Sequence, residues 1–223
     1  MRARYASWLT LLATDSDYLR RALAPSYWAL VPYYVGQFND CSCSLATATM
    51  LVNALRGSIG LAPVERLVTQ QALLAAVNSA LWTAGVGADG GEGVTQRQMG
   101  PLLERSFAVY GVDGVAIETV PVLRPNEAAV AEFRAALRRI ETSAADLLVV
   151  NFHVAPVVGH GDYGHFSPIG AYDEGRDRVL VLDVDRAWFE PYWTPVDRLV
   201  AGMATMSHID GERRGYLRIT RSL

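Results

Sequence analysis

Apolar residues in the first two thirds of the chain repeat with the period of an α-helix. Leu45, Ala48, Val52 and Leu55 fall on one side of such a helix, so we predict a helix over residues 43–55 with one buried face. The same spacing, together with capping residues, predicts helices over 69–77, 95–110 and 126–140. The first 21 residues combine basic side chains with a short apolar run and predict a further amphipathic helix.

The last third of the chain changes to short runs that are rich in β-branched and aromatic residues. These runs are separated by turn residues such as 173–177, and they predict strands at 147–152, 165–172, 179–184 and 215–220. One more helix is expected near 196–203. Helices followed by strands indicate an α+β fold with an antiparallel sheet, because a Rossmann fold would alternate strands with helices.

The length of 223 residues, 51% of them hydrophobic, favours one domain with a sizeable core. We expect a single domain over 1–223, with a mainly helical lobe over 1–140 and a mainly β lobe over 141–223. The glycine-rich segment 85–94 is predicted to be a loop between helices. It contains the spacing GxGxxG, but the glycines follow a helix, and a dinucleotide site requires a preceding strand.

The charge of the chain bears on its partners. The 20 basic and 23 acidic residues give a net charge of −3, which provides no field to attract nucleic acid or anionic lipid. No segment approaches the ~20 apolar residues of a membrane span, and the basic N-terminus lacks the cleavage site of a signal peptide. The two cysteines, Cys41 and Cys43, are too close in sequence for an easy disulfide. We therefore expect a small or peptide-like substrate and a reducing, cytoplasmic compartment.

Cys43 stands where the helix over 43–55 is predicted to begin. A helix N-terminus presents unpaired N–H groups and the positive end of the helix dipole, which favours a thiolate and makes a cysteine nucleophilic. Cys41 lies in the preceding loop and lacks this placement. On this observation alone, a small buried side chain stays open as the alternative role of Cys43.

Three further side chains fit a site for acyl transfer. His165 begins a predicted strand, where its neighbours would fix the ring at a sheet edge facing the helix start. Asp183 lies in an apolar run, where an unpaired carboxylate would be costly and an imidazolium partner would justify it. Gln37 can direct a side-chain amide at an oxyanion, beside the backbone N–H of Cys43. A packed histidine, a strand-end cap and a solvated glutamine are the structural alternatives.

Two stretches of the sequence resemble the phytochelatin synthase family, a branch of the papain-like cysteine peptidases. They read QFNDCSCSLATATMLVNALRG and GHFSPIGAYDEGRDRVLVLDVDRAWFEPYW, and the resemblance runs from about residue 27 to residue 219. In that family a glutamine stands six positions before the nucleophilic cysteine, and the helix that follows ends in Asn-Ala-Leu. Gln37, Cys43 and residues 53–55 match that register, which selects Cys43 over Cys41.

The resemblance implies a papain-like fold and a role for each matching residue. It implies Cys43 as nucleophile, His165 as base, and Asp183, eighteen residues further on, as the acid that orients the base. Arg186 matches a family arginine that holds a substrate carboxylate, and the Arg-Arg-Gly of the family is present at residues 213–215.

Ser42 and Ser44 mark a departure from the family, which has an aromatic residue before the cysteine and a glycine after it. We therefore expect the two serines to reshape the acyl pocket and to bind substrate. The stretch before His165 lacks a family arginine, so part of a glutathione carboxylate clamp is expected to be missing. The cysteine-rich C-terminal extension of the plant enzymes is also missing, and no metal response is assumed.

The reaction implied by the resemblance forms an acyl-enzyme on Cys43 from a γ-glutamyl-cysteinyl substrate such as glutathione. The acyl group then passes to an amine, which makes a new amide bond, or to water. Two alternatives stay open: a condensation enzyme supplied with acyl thioesters by a carrier protein, and a binding module without catalysis. His160, Asp162 and His165 could bind zinc, but such a site would leave Cys43 and Asp183 unexplained. No cofactor and no metal ion are expected.

Overall fold

One antiparallel sheet with helices on both faces forms the fold of this computed structural model, which describes residues 5–87 and 91–222. The α-helices of these stretches are α1 (Pro25–Leu30), α2 (Cys43–Ile59), α3 (Gln70–Val77), α4 (Ala80–Gly85), α5 (Gln96–Val109), α6 (Glu127–Ile140), α7 (Val154–Val158) and α8 (Val196–Met203). The strands are β1 (Thr10–Leu11), β2 (Val115–Pro121), β3 (Asp146–His153), β4 (Gly164–Asp173), β5 (Arg178–Val181), β6 (Tyr192–Pro195) and β7 (Gly215–Arg221). Their spatial order is β1-β6-β5-β4-β3-β7-β2, and neighbouring strands are antiparallel. The predicted α+β class is thus confirmed.

The helices predicted from period and capping residues are present. The Thr69 hydroxyl accepts a hydrogen bond of 3.2 Å from the Ala72 amide at the start of α3. Thr95 and Gln98 form a capping box at the start of α5, and the Asn126 side chain caps α6. These side chains pair N–H groups that would otherwise lack partners at the helix start, which is why the sequence marks these boundaries well.

α2 is buried on every side, whereas the sequence predicted one buried face. Every residue from position 43 to position 56 is buried, and Leu45, Met50 and Leu51 have no exposed surface. Small residues such as Ala46 and Ala48 lie between the larger ones and let neighbouring elements approach closely. Burial of each such leucine or methionine side chain contributes about 1.5–3 kcal/mol to the stability of the fold. Because α2 supplies several of them, it forms the centre of the core.

The sheet is covered on both faces because its central strands are apolar at successive positions. In β3, Leu147 and Val149 pack in the cluster that contains α2 and α5, whereas Leu148, Val150 and Phe152 pack in the cluster that contains α6 and α8. Successive side chains of a strand point to opposite faces, so the sheet separates two hydrophobic layers. The division of the chain into two lobes at residue 140 remains a prediction. Helix α6 lies on the N-terminal side of that division, yet it packs with α8 from the C-terminal side.

One sequence prediction about local structure is wrong, and one predicted strand is too long. The chain from residue 5 to residue 21 is not the predicted amphipathic helix: it consists of turns and β1, which pairs Thr10 with Trp193 of β6. His165 lies near the start of β4, where the strand pairs with β3 alone because β5 pairs only with residues 169–173, and this agrees with its predicted place at a sheet edge. The predicted strand over 179–184 ends at Val181, so Asp183 lies just beyond it.

Candidate active site

Cys43 is the first residue of α2, and its side chain reaches a large cavity. The side chain is 8% exposed, and the cavity beside it has a volume of ≈ 1190 Å³. Within the described residues no side chain caps the N-terminus of α2, because the preceding Ser42 hydroxyl turns back into its own loop. The N–H groups of the first helical turn therefore stay available to stabilise negative charge at the sulfur or on a bound carbonyl oxygen.

His165 and Asp183 form a buried pair behind the cysteine. The Nε2 atom of His165 lies 2.9 Å from the Oδ1 atom of Asp183, and the two side chains are 2% and 0% exposed. The Asp183 carboxylate also accepts hydrogen bonds from the backbone amide of Asp185 (2.9 Å) and the Tyr192 hydroxyl (3.1 Å). These donors hold the carboxylate in place and offset the cost of burying it.

The second nitrogen of the His165 ring is left for Cys43, whose sulfur lies within hydrogen-bonding reach of the ring. Burial of the imidazole opposes its protonation, but the Asp183 carboxylate and the Cys43 sulfur outweigh this effect and raise the pKa of His165 well above its usual value. The ring of Phe152 packs edge-on at 5.6 Å between centroids and fixes its plane. A protonated imidazole held beside a sulfur favours the thiolate–imidazolium pair used by nucleophilic cysteines.

Cys41 differs from Cys43 in each of these respects. Its sulfur donates a hydrogen bond to the Gly91 carbonyl, and it has no place in α2. Burial raises the pKa of Cys41, and the neighbouring Cys43 and Asp40 raise it further, so its thiol stays protonated. The structure thus brings Cys43, and not Cys41, together with His165 and Asp183.

Gln37 lies in the loop that leads to Cys43. Its backbone amide donates a 2.7 Å hydrogen bond to the carbonyl of Val184, next to Asp183, which joins this loop to the histidine side of the site. The side-chain oxygen of Gln37 is buried and has no hydrogen-bond partner among the described residues. The amide group therefore has hydrogen-bonding capacity that the fold does not use.

Ser42 and Ser44 lie beneath the cavity and not on its surface. The Ser42 hydroxyl accepts hydrogen bonds from the amides of Phe38 (3.0 Å) and Asn39 (3.1 Å), so it shapes the loop between Gln37 and Cys43. The Ser44 hydroxyl accepts a 3.1 Å hydrogen bond from the indole of Trp82. Both serines are fully buried. Their hydroxyls are used within the protein, which favours an indirect effect on the shape of the pocket, and contact with substrate stays a prediction.

Arg186, predicted to hold a substrate carboxylate, is exposed and turned away from the cavity. Its guanidinium lies over the Tyr34 ring at 5.2 Å and donates a 3.1 Å hydrogen bond to the Phe189 carbonyl. Arg214 lines the cavity instead and packs against Gly164, where an added Cβ would come within 2.6 Å of the guanidinium. Sequence reasoning noted this arginine without giving it a role; the small residue before His165 was the available signal.

Arg214 is a buried cation that forms no salt bridge with the described residues. It is 3% exposed and donates a 3.0 Å hydrogen bond to the Thr205 hydroxyl and another to the Met206 carbonyl. Burial lowers the pKa of Arg214; the Asp210 carboxylate opposes this effect without outweighing it, and no salt bridge joins Arg214 to an acid within residues 5–87 and 91–222. A carboxylate brought by a substrate would satisfy this charge.

The alternative metal and dinucleotide sites find no support in the geometry. In the part of the chain that the structure describes, no group of three or more His, Cys, Asp or Glu side chains is placed to hold a metal ion. Two of the side chains proposed for zinc have other partners: His165 is paired with Asp183, and the Oδ1 atom of Asp162 lies 3.0 Å from the Nε2 atom of His153. Of the GxGxxG segment, Gly85 ends α4 and Gly90 lies outside the described residues.

The described helices are also too short or too polar to cross a bilayer.

A buried histidine–aspartate pair beside a cysteine that begins a central helix, next to an antiparallel sheet, defines the class of papain-like thiol enzymes. Comparison with known families gives the particular member. The sequence model described as phytochelatin synthase matches residues 13–216, and the chain belongs to that family. The resemblance stated from the residues alone is thereby confirmed.

Relatives in the family carry names that describe acyl transfer. The chain is 28% identical over 212 residues to glutathione gamma-glutamylcysteinyltransferase 3 of Lotus japonicus, a match that covers 87% of this chain and 37% of the relative. It is 34% identical over 102 residues to glutathione gamma-glutamylcysteinyltransferase 2 of Arabidopsis thaliana, covering 46% of this chain and 22% of the relative. The chain thus spans little more than a third of the relative it matches over the greatest length.

Proposed function

We propose that this protein is a thiol acyltransferase that forms an acyl-enzyme on Cys43. The observation that supports this most is the position of His165, which lies within reach of both the Asp183 carboxylate and the sulfur of Cys43, a residue that lines a large cavity. The Cys43 thiolate attacks the carbonyl carbon of an amide, and the carbonyl oxygen becomes an oxyanion. His165 then gives its proton to the leaving amine as the C–N bond breaks.

Gln37 is proposed to stabilise that oxyanion together with the backbone N–H of Cys43. The donor would be the side-chain NH2 group, and support comes from the hydrogen bond that ties the Gln37 backbone to Val184, next to Asp183. Donors fixed before the reaction act on the charge that develops in the transition state, so they lower the barrier more than they strengthen ground-state binding.

The proposed acyl donor is a γ-glutamyl-cysteinyl compound such as glutathione. The relatives are named for glutathione and for transfer of the γ-glutamylcysteinyl group, and these names give no support to a carrier-protein donor or to a non-catalytic module. Glutathione carries two carboxylates, and the buried Arg214 guanidinium offers one of them a partner on the cavity wall. Two free cysteines fit a reducing compartment, so the cytoplasm is the proposed location.

Release of glycine from glutathione tests this function. Rapid mixing should give a burst of glycine equal to the amount of enzyme if acylation is faster than deacylation, and a steady rate afterwards. The variant Cys43→Ala should release no glycine, whereas the matched control Cys41→Ala should keep the reaction. Glycine release by Cys43→Ala combined with loss in Cys41→Ala would show that the wrong cysteine has been assigned.

A further inference from the structure

Asp185 places a second buried carboxyl group at the site, two residues beyond Asp183. Its side chain lines the same cavity as Cys43, and the residue is 4% exposed. The Oδ1 atom is buried and has no hydrogen-bond partner among the described residues. A buried carboxylate oxygen without a partner carries a free-energy cost, so its retention calls for a reason.

The fold uses the rest of Asp185. The backbone amide donates to Asp183, and the backbone carbonyl accepts from the amides of Trp188 (3.0 Å) and Phe189 (2.8 Å). The Ala187 amide hydrogen-bonds to the carboxyl group, and the Tyr163 hydroxyl lies within reach of it. An asparagine would serve this turn equally well. The turn therefore accounts for one oxygen of Asp185 but not for its charge.

The surroundings of Asp185 are negative. Burial raises the pKa of Asp185, and although His165 opposes this when protonated, the Asp183 and Asp40 carboxylates raise it further. The adjacent Arg186 does not compensate, because its guanidinium is engaged with Tyr34 and with the Phe189 carbonyl. A cation arriving from the cavity would relieve this unfavourable arrangement.

We infer that Asp185 binds the ammonium group of the amine that accepts the acyl group from Cys43. The inference rests on the proposed function. Asp185 is placed for this role because it lies in the wall of the cavity that holds the acylated sulfur and interacts with His165, the group that handles protons there. The acceptor class is a primary amine that is charged at neutral pH, such as the α-ammonium group of an amino acid or peptide.

The transfer step balances with these groups. The bound ammonium gives one proton to the Asp185 carboxylate, and the resulting neutral amine attacks the thioester carbonyl carbon. A C–N bond forms and the C–S bond breaks, so that Cys43 leaves as a thiolate. The second proton of the nitrogen passes to the neutral ring of His165, which restores the thiolate–imidazolium pair. Asp185 then releases its proton to water.

Partition of the acyl-enzyme between water and added amine tests this role. Glycinamide serves as an acceptor with an ammonium group, and hydroxylamine as an acceptor that is uncharged at neutral pH. Asp185→Asn should raise the glycinamide concentration needed for half-maximal transfer about tenfold or more, because a hydrogen bond to a charged group is lost. Capture by hydroxylamine and the initial burst of glycine from glutathione, which reports acylation alone, should stay close to wild type. The matched control Asp162→Asn, an exposed acid of the same cavity that pairs with His153, should leave glycinamide transfer unchanged.

The other possible results decide whether Asp185 binds the ammonium group of the acceptor. Equal glycinamide transfer in Asp185→Asn and wild type would overturn the inference, and so would an equal loss with both acceptors, which would indicate a structural role. Loading Cys43 from phenyl thioacetate separates the inference from the proposed substrate. Acylation by this thioester but not by glutathione would refute the proposed donor while the role of Asp185 is still tested. If neither compound acylates Cys43, the inference fails together with the proposed function.

Discussion

At the scale of single residues, the Asp183 carboxylate is a charged group in a fully buried position. It is inaccessible to solvent and shares its two oxygens among the His165 ring, the Asp185 amide and the Tyr192 hydroxyl. Three hydrogen bonds hold this carboxylate beside the imidazole, and its charge raises the pKa of His165 in spite of burial. The state of the histidine therefore depends on the aspartate, and this dependence can be measured.

Asp183→Asn should change the pH dependence of glycine release. The raised pKa of His165 means that the imidazolium survives to higher pH, and activity is lost as pH rises through that pKa. Without the carboxylate, burial still disfavours the charged ring, so the pKa falls and the alkaline limb of kcat/KM moves to lower pH. The rate at neutral pH should fall on the order of a hundredfold or more.

Asp162→Asn is the matched control for that profile, because Asp162 pairs with His153 at an exposed position. Its alkaline limb should stay where the wild-type limb is. An unchanged limb in Asp183→Asn would mean that Asp183 does not set the protonation of His165.

Ser44 and Trp82 offer a test of the packing beneath the cavity. Ser44→Ala leaves the buried indole N–H of Trp82 without its acceptor, so the free energy of unfolding should fall by about 1–3 kcal/mol. Adding Trp82→Phe removes the unpaired donor, and the double variant should lose less stability than the sum of the two single variants. Urea unfolding measures all three. Strict additivity would show that this hydrogen bond does not contribute to stability.

At the scale of elements, the N-terminal segment adds structure that the family match does not include. The match begins at residue 13, yet Tyr5 and Trp8 line the cavity. The Trp8 indole donates a 2.8 Å hydrogen bond to the Val157 carbonyl, and the Arg198 guanidinium lies 4.2 Å from the ring centre. These contacts hold the segment against α7 and α8, so it forms a fixed part of the cavity wall.

Trp8→Ala should therefore weaken substrate binding without affecting the reacting groups. We expect KM for glutathione to rise about threefold to tenfold through loss of an aromatic contact, with kcat little changed. Trp28→Ala is the control, since Trp28 is 56% exposed on α1 and does not line the cavity. Equal KM values in the two variants would exclude the N-terminal segment from the site.

The sequence predicts elements where a local signal is strong. Capped helices such as α3 and α6 are predicted because period and capping agree, and β3 because residues 147–150 form a continuous apolar run. The helix predicted at the N-terminus is wrong because the apolar residues there pack on opposite faces of the sheet. Leu9 and Leu11 belong to one hydrophobic cluster and Leu12 to the other. No local helix period describes that arrangement.

The site shows the same limit. Cys43, His165 and Asp183 could be selected because each needs a chemical reason to be where it is, and the family register joins them. The orientations of Ser42, Ser44 and Arg186 could not be predicted, since tertiary packing decides which side of a loop faces the cavity. Asp185 carried a usable signal, a second acid in the apolar run after Val181, which sequence reasoning did not use.

At the scale of the whole molecule, one large cavity brings together groups of opposite charge. Arg214 lies on its wall as a buried cation, whereas Asp185 contributes a buried acid. A donor with free carboxylates and an acceptor with an ammonium group match these two charges. The cavity, at ≈ 1190 Å³, is larger than the roughly 300–1,000 Å³ of most small-molecule sites, which leaves room for a donor and an acceptor together.

The composition of the chain simplifies the decisive experiment. All 20 basic residues are arginine, so the chain has no lysine side chain that could capture an acyl group by unspecific reaction. Among its side chains, Cys41 and Cys43 are the only thiols. An acyl group that is trapped on the protein by an acid quench can therefore be assigned to one of a few positions.

The most direct measurement is peptide mass spectrometry of the enzyme quenched in acid during turnover with glutathione. We expect the peptide that contains Cys43 to gain the mass of a γ-glutamylcysteinyl group. Hydroxylamine should remove this group, and Cys43→Ala should lack it. The Cys41→Ala variant should carry the same modification as wild type. Modification at Cys41 in wild type, or glycine release with an unmodified Cys43 in single-turnover samples, would contradict the assignment of Cys43 as the nucleophile.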